Sequence, residues 1–254
     1  MYGPERIGKT LHRVNSISIV GRRIGKLLRP ACFCGVLVFL AGNAQATMKQ
    51  IIIDQVFSGS VTPTGSQPWL TAIFEDTGLP PGEVKVTLSV TGLVQPEKVD
   101  EWDFNVDNGS TGNPAIDPTT LAFSAPTKTG TFDDPTINTG INAFKADGDG
   151  KYDIQFMFST ANGHEFGAGE SVMYTITGPA SLTAESFSFL SQPAGGAGPF
   201  YSAAHILSIG QGGNSVWASP ISPPGTPAPE PAAIVLGLMA GCAAIGLRRW
   251  QGAC

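Results

Sequence analysis

Three aspartates in one glycine-rich stretch are the residues of this chain best suited to bind a metal ion. Asp147, Asp149 and Asp153 stand at i, i+2 and i+6, with two glycines between the first and the last. Their carboxylate oxygens are ligands of the kind that Ca²⁺ takes, so a calcium site is one interpretation. The stretch departs from an EF-hand loop, because Lys145 stands where the first ligand belongs. The favoured alternative is a Gly/Asp turn that leads into a strand near Tyr152.

A pair of carboxylates on a predicted strand could do acid–base chemistry. Glu101 and Asp103 fall on one face of that strand, about 6.5–7 Å apart by strand rise, and Asp107 follows on the same face. This separation is at the lower edge of the spacing between the two carboxyl groups of inverting glycosidases. Because every acidic i, i+2 pair on a strand has it, we favour a solvated acidic face that aids solubility and discourages edge pairing.

The positions of the histidines and tryptophans favour structural roles over catalytic ones. His205 shares a face with two aliphatic residues, which indicates a partly buried, hydrogen-bonded imidazole, and His164 falls in a predicted exposed turn. Trp69, Trp102 and Trp217 could form a platform on which sugars stack, although Trp102 lies on the apolar face of its strand. The motifs of serine hydrolases, zinc peptidases and P-loop proteins do not occur, so no catalytic residue is predicted.

Short strands would have to position these side chains. Apolar and polar residues alternate with a period of two in the clearest runs, which are 83–92, 101–107, 152–159, 172–176 and 187–189. Weaker strand candidates are 51–57, 69–76, 121–124 and 203–209. Turn residues separate the runs, and the segments 107–120 and 126–143 are predicted to be loops. The pattern predicts an all-β domain over residues 47–218, an antiparallel β-sandwich that is jelly-roll-like.

The charge of the chain is distributed unevenly along its 254 residues. Residues 47–228, here called the body, contain 18 acidic residues and six lysines, which gives a formal net charge of −12. This charge makes nucleic acids and anionic membrane surfaces poor partners. All four cysteines lie outside the body, so the domain is predicted to need no disulfide or thiolate metal site.

Residues 1–46 have the features of a secretory signal peptide. Seven basic residues and one acidic residue are followed by an apolar stretch at 31–42. Ala44 and Ala46 then give the small-x-small pattern of a cleavage site. The chain is therefore expected to engage the Sec translocon; a twin-arginine route is the less favoured alternative.

The other end of the chain has the features of a membrane anchor. A proline-rich linker covers 219–228 and is expected to be extended and semi-rigid. The segment 229–254 then reads Pro229-Glu230-Pro231, an uncharged run at 232–247 and Arg248-Arg249. Sixteen helical residues span about 24 Å, slightly less than the roughly 30 Å of a hydrocarbon core. A transmembrane helix over 232–247 is predicted, with the arginines on the cytoplasmic side.

In this order, the tripeptide, the apolar span and the arginine pair resemble the PEP-CTERM sorting signal. The resemblance implies recognition and cleavage by exosortase, a membrane enzyme of Gram-negative bacteria that make extracellular polysaccharide. An ordinary tail anchor and a buried core helix are the alternatives. The body also contains phrases similar to those of other exported PEP-CTERM proteins, among them 65–72 and 101–107. That similarity implies a small exported β-domain and carries over no activity.

The predicted function is that of a non-enzymatic exported protein of the cell surface or extracellular matrix, structural or adhesive. It would be anchored transiently in the inner membrane, processed by exosortase and associated with exopolysaccharide. A different class remains as the alternative, a polysaccharide-binding lectin or a polysaccharide-active β-sandwich enzyme. No cofactor is predicted, apart from the alternative of Ca²⁺ at the aspartate stretch.

Overall fold

The computed structural model describes residues 47–109 and 115–225. The predicted signal peptide with Ala44 and Ala46 therefore lies outside the described residues. The same holds for Pro229, Glu230, Pro231, the predicted helix at 232–247 and Arg248-Arg249. Within the described ranges, no helix has the length and apolar character that a membrane span requires.

Strands dominate the described chain, which contains two 3-10 helices, Pro118–Thr120 and Ala184–Phe187. The strands are β1 (Met48–Ile53), β2 (Gln55–Ser58), β3 (Leu70–Glu75), β4 (Glu83–Val90), β5 (Lys98–Phe104), β6 (Ala122–Phe123), β7 (Thr127–Thr129), β8 (Thr136–Lys145), β9 (Lys151–Met157), β10 (Phe166–Gly167), β11 (Ser171–Thr177), β12 (Ser202–Ile209) and β13 (Asn214–Ser219). The predicted all-β class is thereby confirmed.

The strands form two antiparallel sheets. Sheet A has the order β1-β3-β4-β11-β6, and β7 also pairs with β11. Sheet B has the order β2-β13-β12-β5-β9-β8, and β10 also pairs with β5. The short hairpins β3–β4, β8–β9 and β12–β13 join sequence neighbours, whereas β5 and β11 pair with strands distant in the chain.

Strand β4 shows why these segments fold as strands. Val84, Val86, Leu88 and Val90 are buried, and the residues between them are partly exposed. Because successive side chains of a strand point to opposite faces, the β-branched and aliphatic residues all enter the core. The predicted strand at 83–92 is confirmed, with an end at Val90.

Aromatic side chains from both sheets meet in one shared core. Phe74 of sheet A packs edge-on against Phe104 of sheet B, with ring centroids 5.5 Å apart. Phe123 of sheet A makes the same kind of contact with Phe156 of sheet B at 5.9 Å. Edge-to-face pairs of this kind contribute about 0.5–1.5 kcal/mol beyond the burial of their area.

The predicted strand at 187–189 is wrong. Residues Ala184–Phe187 form a 3-10 helix in which Phe187 stacks on Phe74, with ring centroids 4.2 Å apart. Thr183 and Ser186 make reciprocal hydrogen bonds, since each backbone N–H reaches an oxygen of the other residue. These local bonds to a polar side chain compete with strand pairing and start the helix.

The predicted loop at 126–143 is also wrong, because it contains β7 and most of β8. β8 is the last strand of sheet B and is at least partly exposed along its whole length, so it lacks the apolar alternation that marks a buried strand. The other predicted loop, 107–120, contains one short 3-10 helix in its described part.

The folded domain continues further than the predicted end at residue 218. Strand β13 was not predicted, and it ends at Ser219, which is fully buried although it was assigned to the linker. Gly225 pairs with Gln50 at the edge of sheet A. Small residues at 215 and 218–219 weaken the strand signal of β13, which rests on Val216 and Trp217.

A second, smaller hydrophobic cluster lies on the other side of sheet B. Ala203 belongs to it, whereas its neighbour Ala204 belongs to the shared core, so the two alanines occupy opposite faces. Its members are the buried Ala146, Tyr152 and Ala203 and the half-buried Phe57, Phe144 and Trp217. Both faces of sheet B are therefore partly covered, which decides the environment of the carboxylates on β5.

Candidate functional site

The two carboxyl groups of β5 form a pair at the centre of sheet B. Asp103 is fully buried, and Glu101 is partly exposed. Asp103 is flanked by Ala203 of the second cluster on β12 and by Gln155 on β9. Among the described residues no hydrogen-bond donor reaches either oxygen of Asp103. The carboxyl of Glu101 is close enough for its charge to act on Asp103.

A line of amide side chains continues from this pair toward the edge of the sheet. Gln155 Nε2 donates to Glu101 Oε1 at 2.5 Å, and Asn138 Nδ2 donates to Gln155 Oε1 at 3.1 Å. The line runs across β5, β9 and β8, because Asn138 is directly opposite Gln155 in the strand register. These two hydrogen bonds orient the Glu101 carboxyl on the face that it shares with Asp103.

The surroundings of the pair favour its protonated form. Burial raises the pKa of Asp103 well above its usual range, and the nearby charge of Glu101 raises it further. Burial also raises the pKa of Glu101, against the opposing effect of the Gln155 hydrogen bond. Two neighbouring carboxylates repel each other, which favours protonation of one of them. Asp103 is the more buried member, so protonation is favoured there.

One prediction about these residues is wrong. The acidic face is not fully solvated, because Asp103 is covered by the second cluster and Asp107 is also buried. The alternation of polar and apolar residues on β5 indicated its two faces, but it could not show that both are covered.

Replacing Asp103 with asparagine should make the stability of the protein less dependent on pH. A carboxyl whose pKa is raised in the folded state stabilises the fold below its unfolded pKa, near 3.9, and that contribution is lost as pH rises through the folded pKa. The wild type should therefore lose up to about 1.4 kcal/mol of unfolding free energy per pH unit in this window. Asp103→Asn should remove that slope, because an amide does not titrate in this range.

Urea denaturation between pH 4 and pH 8 measures this slope. Asp134→Asn is the matched control, since the Asp134 side chain is 57% exposed and its partner is a lysine, and it should keep the slope of the wild type. Equal slopes for the wild type and Asp103→Asn would show that Asp103 is ionised throughout.

The three aspartates of the predicted calcium site are not brought together. The Asp147 carboxylate accepts a hydrogen bond from the hydroxyl of Ser58. Asp147 has a positive φ of 46° and the glycine that follows has a φ of 80°, which is turn geometry. Asp153 accepts from the backbone N–H groups of Val106 at 3.1 Å and of Asn142 at 2.8 Å. In residues 47–109 and 115–225, no three His, Cys, Asp or Glu side chains lie close enough to hold a metal ion. The geometry fits the turn that was the favoured interpretation.

Asp149 has a structural task that the sequence did not indicate. Its carboxylate is buried and accepts the backbone N–H of Ala197, in the glycine-rich loop after the second 3-10 helix. Gly196 allows this approach, since a Cβ at that position would stand 1.4 Å from Asp149 Oδ1. The spacing of glycines in this loop is the signal that could have pointed to a close polar contact.

The tryptophans do not form a common platform. Trp69 and Trp102 are buried in the shared core, and the Trp102 Nε1 donates to Ser202 Oγ at 2.9 Å. Trp217 is half-buried and stacks on His205, with ring centroids 4.8 Å apart. His205 Nδ1 also lies 2.8 Å from Asp100 Oδ1, so the partly buried, partnered imidazole is confirmed.

A polar cleft of about 430 Å³ lies beside β10 and was not predicted. Lys98 Nζ is 3.0 Å from Glu165 Oε1, and the backbone N–H of Gly163 donates to the other oxygen at 2.5 Å. Glu170, also in the cleft wall, accepts the backbone N–H groups of Thr131 and Gly167, each at 2.9 Å. These bonds orient the carboxylates, so the cleft presents preformed hydrogen-bonding groups to solvent.

Comparison with known proteins identifies no family for this chain. No family model, no curated protein and no solved structure matches the chain.

Proposed function

We propose that the chain is an exported protein, processed by exosortase and delivered to the cell surface or extracellular matrix of a Gram-negative bacterium. The observation that carries this proposal is the order of three features at the C-terminal end: Pro229-Glu230-Pro231, the uncharged run at 232–247, and Arg248-Arg249. Each feature alone is common, whereas their succession resembles the PEP-CTERM signal. The basic and apolar segment ending at Ala46 supports the same route, because it supplies the export step.

The proposed route has a physical order. The Sec translocon would export the body, and the 232–247 segment would hold the precursor transiently in the inner membrane, with Arg248-Arg249 in the cytoplasm. Exosortase would then cut near the tripeptide and release the body to the surface, where it would associate with exopolysaccharide.

We infer a structural or adhesive role for the body, as a jelly-roll-like β-sandwich. The ring contacts between the two sheets, such as Phe74 with Phe104, support the sandwich. The burial of Asp103 supports a role without glycoside hydrolysis at β5, because a substrate cannot reach that carboxyl. The linker that separates the body from the membrane is then short, since Ser219 and Gly225 pair with the sheets.

Carbohydrate binding is the second candidate, and the polar cleft favours it. Glu165 and Glu170 are held by backbone N–H groups, and oriented carboxylates of this kind accept hydrogen bonds from sugar hydroxyls. Trp217 is the partly exposed tryptophan among those described and could add a stacking surface elsewhere on the domain.

Measuring both binding and turnover of exopolysaccharides by the processed protein separates these candidates. The structural role predicts no turnover, and Glu101→Gln should leave every measured property except pH-dependent stability unchanged. Glu170→Gln is the matched test of the cleft: lost binding in this variant would favour the lectin. Turnover that Glu101→Gln abolishes would overturn the non-enzymatic role.

A further inference from the structure

Thr47, the residue that follows the predicted cleavage site, is tied to one carboxylate. Its backbone N–H donates to Asp76 Oδ1 at 2.6 Å. The backbone N–H of Asp76 donates in return to the carbonyl oxygen of Thr47 at 3.2 Å. Asp76 Oδ2 accepts the backbone N–H of Ala184, at 3.0 Å, where the second 3-10 helix begins. One carboxylate therefore joins the start of β1, the end of β3 and that helix.

The surroundings of Thr47 are acidic. Thr47 and Asp76 line a cavity of about 440 Å³, together with Glu83 and Glu185. Lys49 lies 2.7 Å from Glu185 and neutralises that carboxylate. Asp76 and Glu83 retain a net negative charge at the cavity wall, so a positive charge placed on the nitrogen of Thr47 would be attracted to it.

We propose that Asp76 is a binding site for the α-ammonium group that signal cleavage creates at Thr47. Hydrolysis of the Ala46–Thr47 bond gives the hydroxyl of water to the Ala46 carbonyl carbon and its proton to the Thr47 nitrogen. The resulting amine takes a second proton from solvent at neutral pH. The contact with Asp76 thereby gains a cationic donor, so an ion pair is added to the existing hydrogen bond. This inference rests on the cleavage position in the proposed function.

Maturation would then strengthen the domain at a sheet edge. β1 is the outermost strand of sheet A, and Thr47 precedes its first residue. An ammonium group held by Asp76 fixes that end of β1 to β3 and to the 3-10 helix whose Phe187 stacks on Phe74. The precursor has the same contacts without the charge, so it should open more readily at this edge.

The pKa of the Thr47 α-amine tests the proposal. We would produce the chain from Thr47 to Cys254 behind a removable fusion partner, in mild detergent, and titrate the ¹⁵N-labelled amine by NMR. The expected pKa is about one unit above the ordinary value near 8, because the carboxylate favours the charged form. Asp76→Asn should return it to about 8 while keeping an acceptor for the Ala184 N–H.

Thermal unfolding before and after removal of the fusion partner provides a second readout. Removal should raise Tm at pH 7 by about 2–4 °C in the wild type, and by less in Asp76→Asn. An amine whose pKa is raised in the folded state stabilises the fold fully at pH values below its unfolded pKa, near 8. This contribution is lost as pH rises through the folded pKa, so the gain in Tm should disappear by about pH 10. Glu83 and Glu185 face the same cavity, and Lys49 pairs with Glu185. Glu83→Gln should leave most of the gain in place.

A chain that begins at Ala46 is the control with an unchanged body, since it moves the ammonium group about 3.8 Å along the chain. It should show an ordinary amine pKa even if Asp76→Asn fails to fold. An amine pKa near 8 in the chain that begins at Thr47 would overturn the proposal. Sequencing the N-terminus of the naturally exported protein tests the cleavage position separately: a start other than Thr47 would contradict that part of the proposed function alone.

Discussion

Replacing Phe104 with alanine is expected to remove about 3–5 kcal/mol from the free energy of unfolding. Phe104 is buried at the centre of the shared core, where its ring touches Phe74 of the opposite sheet and Trp102 and Phe156 of its own sheet. The substitution removes apolar area and leaves a cavity that packed β-strands cannot close. Because domains of this size are stable by roughly 5–15 kcal/mol, the variant should lie near the limit of folding.

Urea denaturation monitored by tryptophan fluorescence measures this loss. Ile141→Ala is the control, since Ile141 is 65% exposed on β8, and it should change the stability by less than about 0.5 kcal/mol. Phe104→Leu should fall between the two, because it retains most of the apolar volume. A loss below about 1 kcal/mol in Phe104→Ala would show that the two sheets do not pack tightly at this point.

Glu230→Ala is expected to block maturation while leaving export and folding intact. Glu230 stands between two prolines in the sequence. Because prolines disfavour a helical backbone, the proposed route expects an extended segment at the membrane surface here. Its charge is costly to bury and should stay among the headgroups, within reach of a membrane-embedded processing enzyme. Uncut precursor should therefore accumulate in the inner membrane, and the surface form should be lost.

Two further variants locate the effect of Glu230→Ala. Thr226→Ala changes a nearby linker position without altering the tripeptide, so its processing should match the wild type. Replacing Arg248 and Arg249 with serine should instead weaken membrane retention and orientation before cleavage. Normal release of Glu230→Ala to the surface would show that the tripeptide is not read during maturation. Immunoblots of the membrane and surface fractions distinguish these outcomes.

Segments with one buried face were predictable from the sequence alone. β4 and β11 face the shared core on one side, so their alternation identified the strands and their inward residues. β9 was also identified, although Asp153 interrupts its pattern as a buried acceptor of two backbone N–H groups. In β4 and β11 local periodicity and burial agree, because a single contact surface decides which residues are apolar.

Segments that depend on distant partners were not predictable in the same way. β8 lies at a sheet edge and is at least partly exposed along its length, so its side chains show no apolar alternation. Its backbone is held in a strand by hydrogen bonding to β9. The 3-10 helix at Ala184–Phe187 depends in part on Asp76, more than 100 residues earlier in the chain. Loop-to-loop and edge contacts of this kind leave no periodic trace in the sequence.

The carboxyl pair shows the same limit for the candidate site. The sequence places Glu101 and Asp103 on one face, and the structure agrees. That Asp103 is buried follows from the second cluster, whose members come from five separate segments. The contact of Asp149 with the glycine-rich loop likewise joins regions almost 50 residues apart. Burial of a polar group is a property of the assembled sheets, so periodicity on one strand could not reveal it.

Mass spectrometry of the C-terminus of the protein from the cell surface and from the inner membrane tests the central claim most directly. Processing by exosortase predicts that the surface form ends close to Pro229-Glu230-Pro231, while the membrane form retains the complete tail to Cys254. Surface protein from the wild type that still carries Arg248-Arg249 would contradict the sorting function.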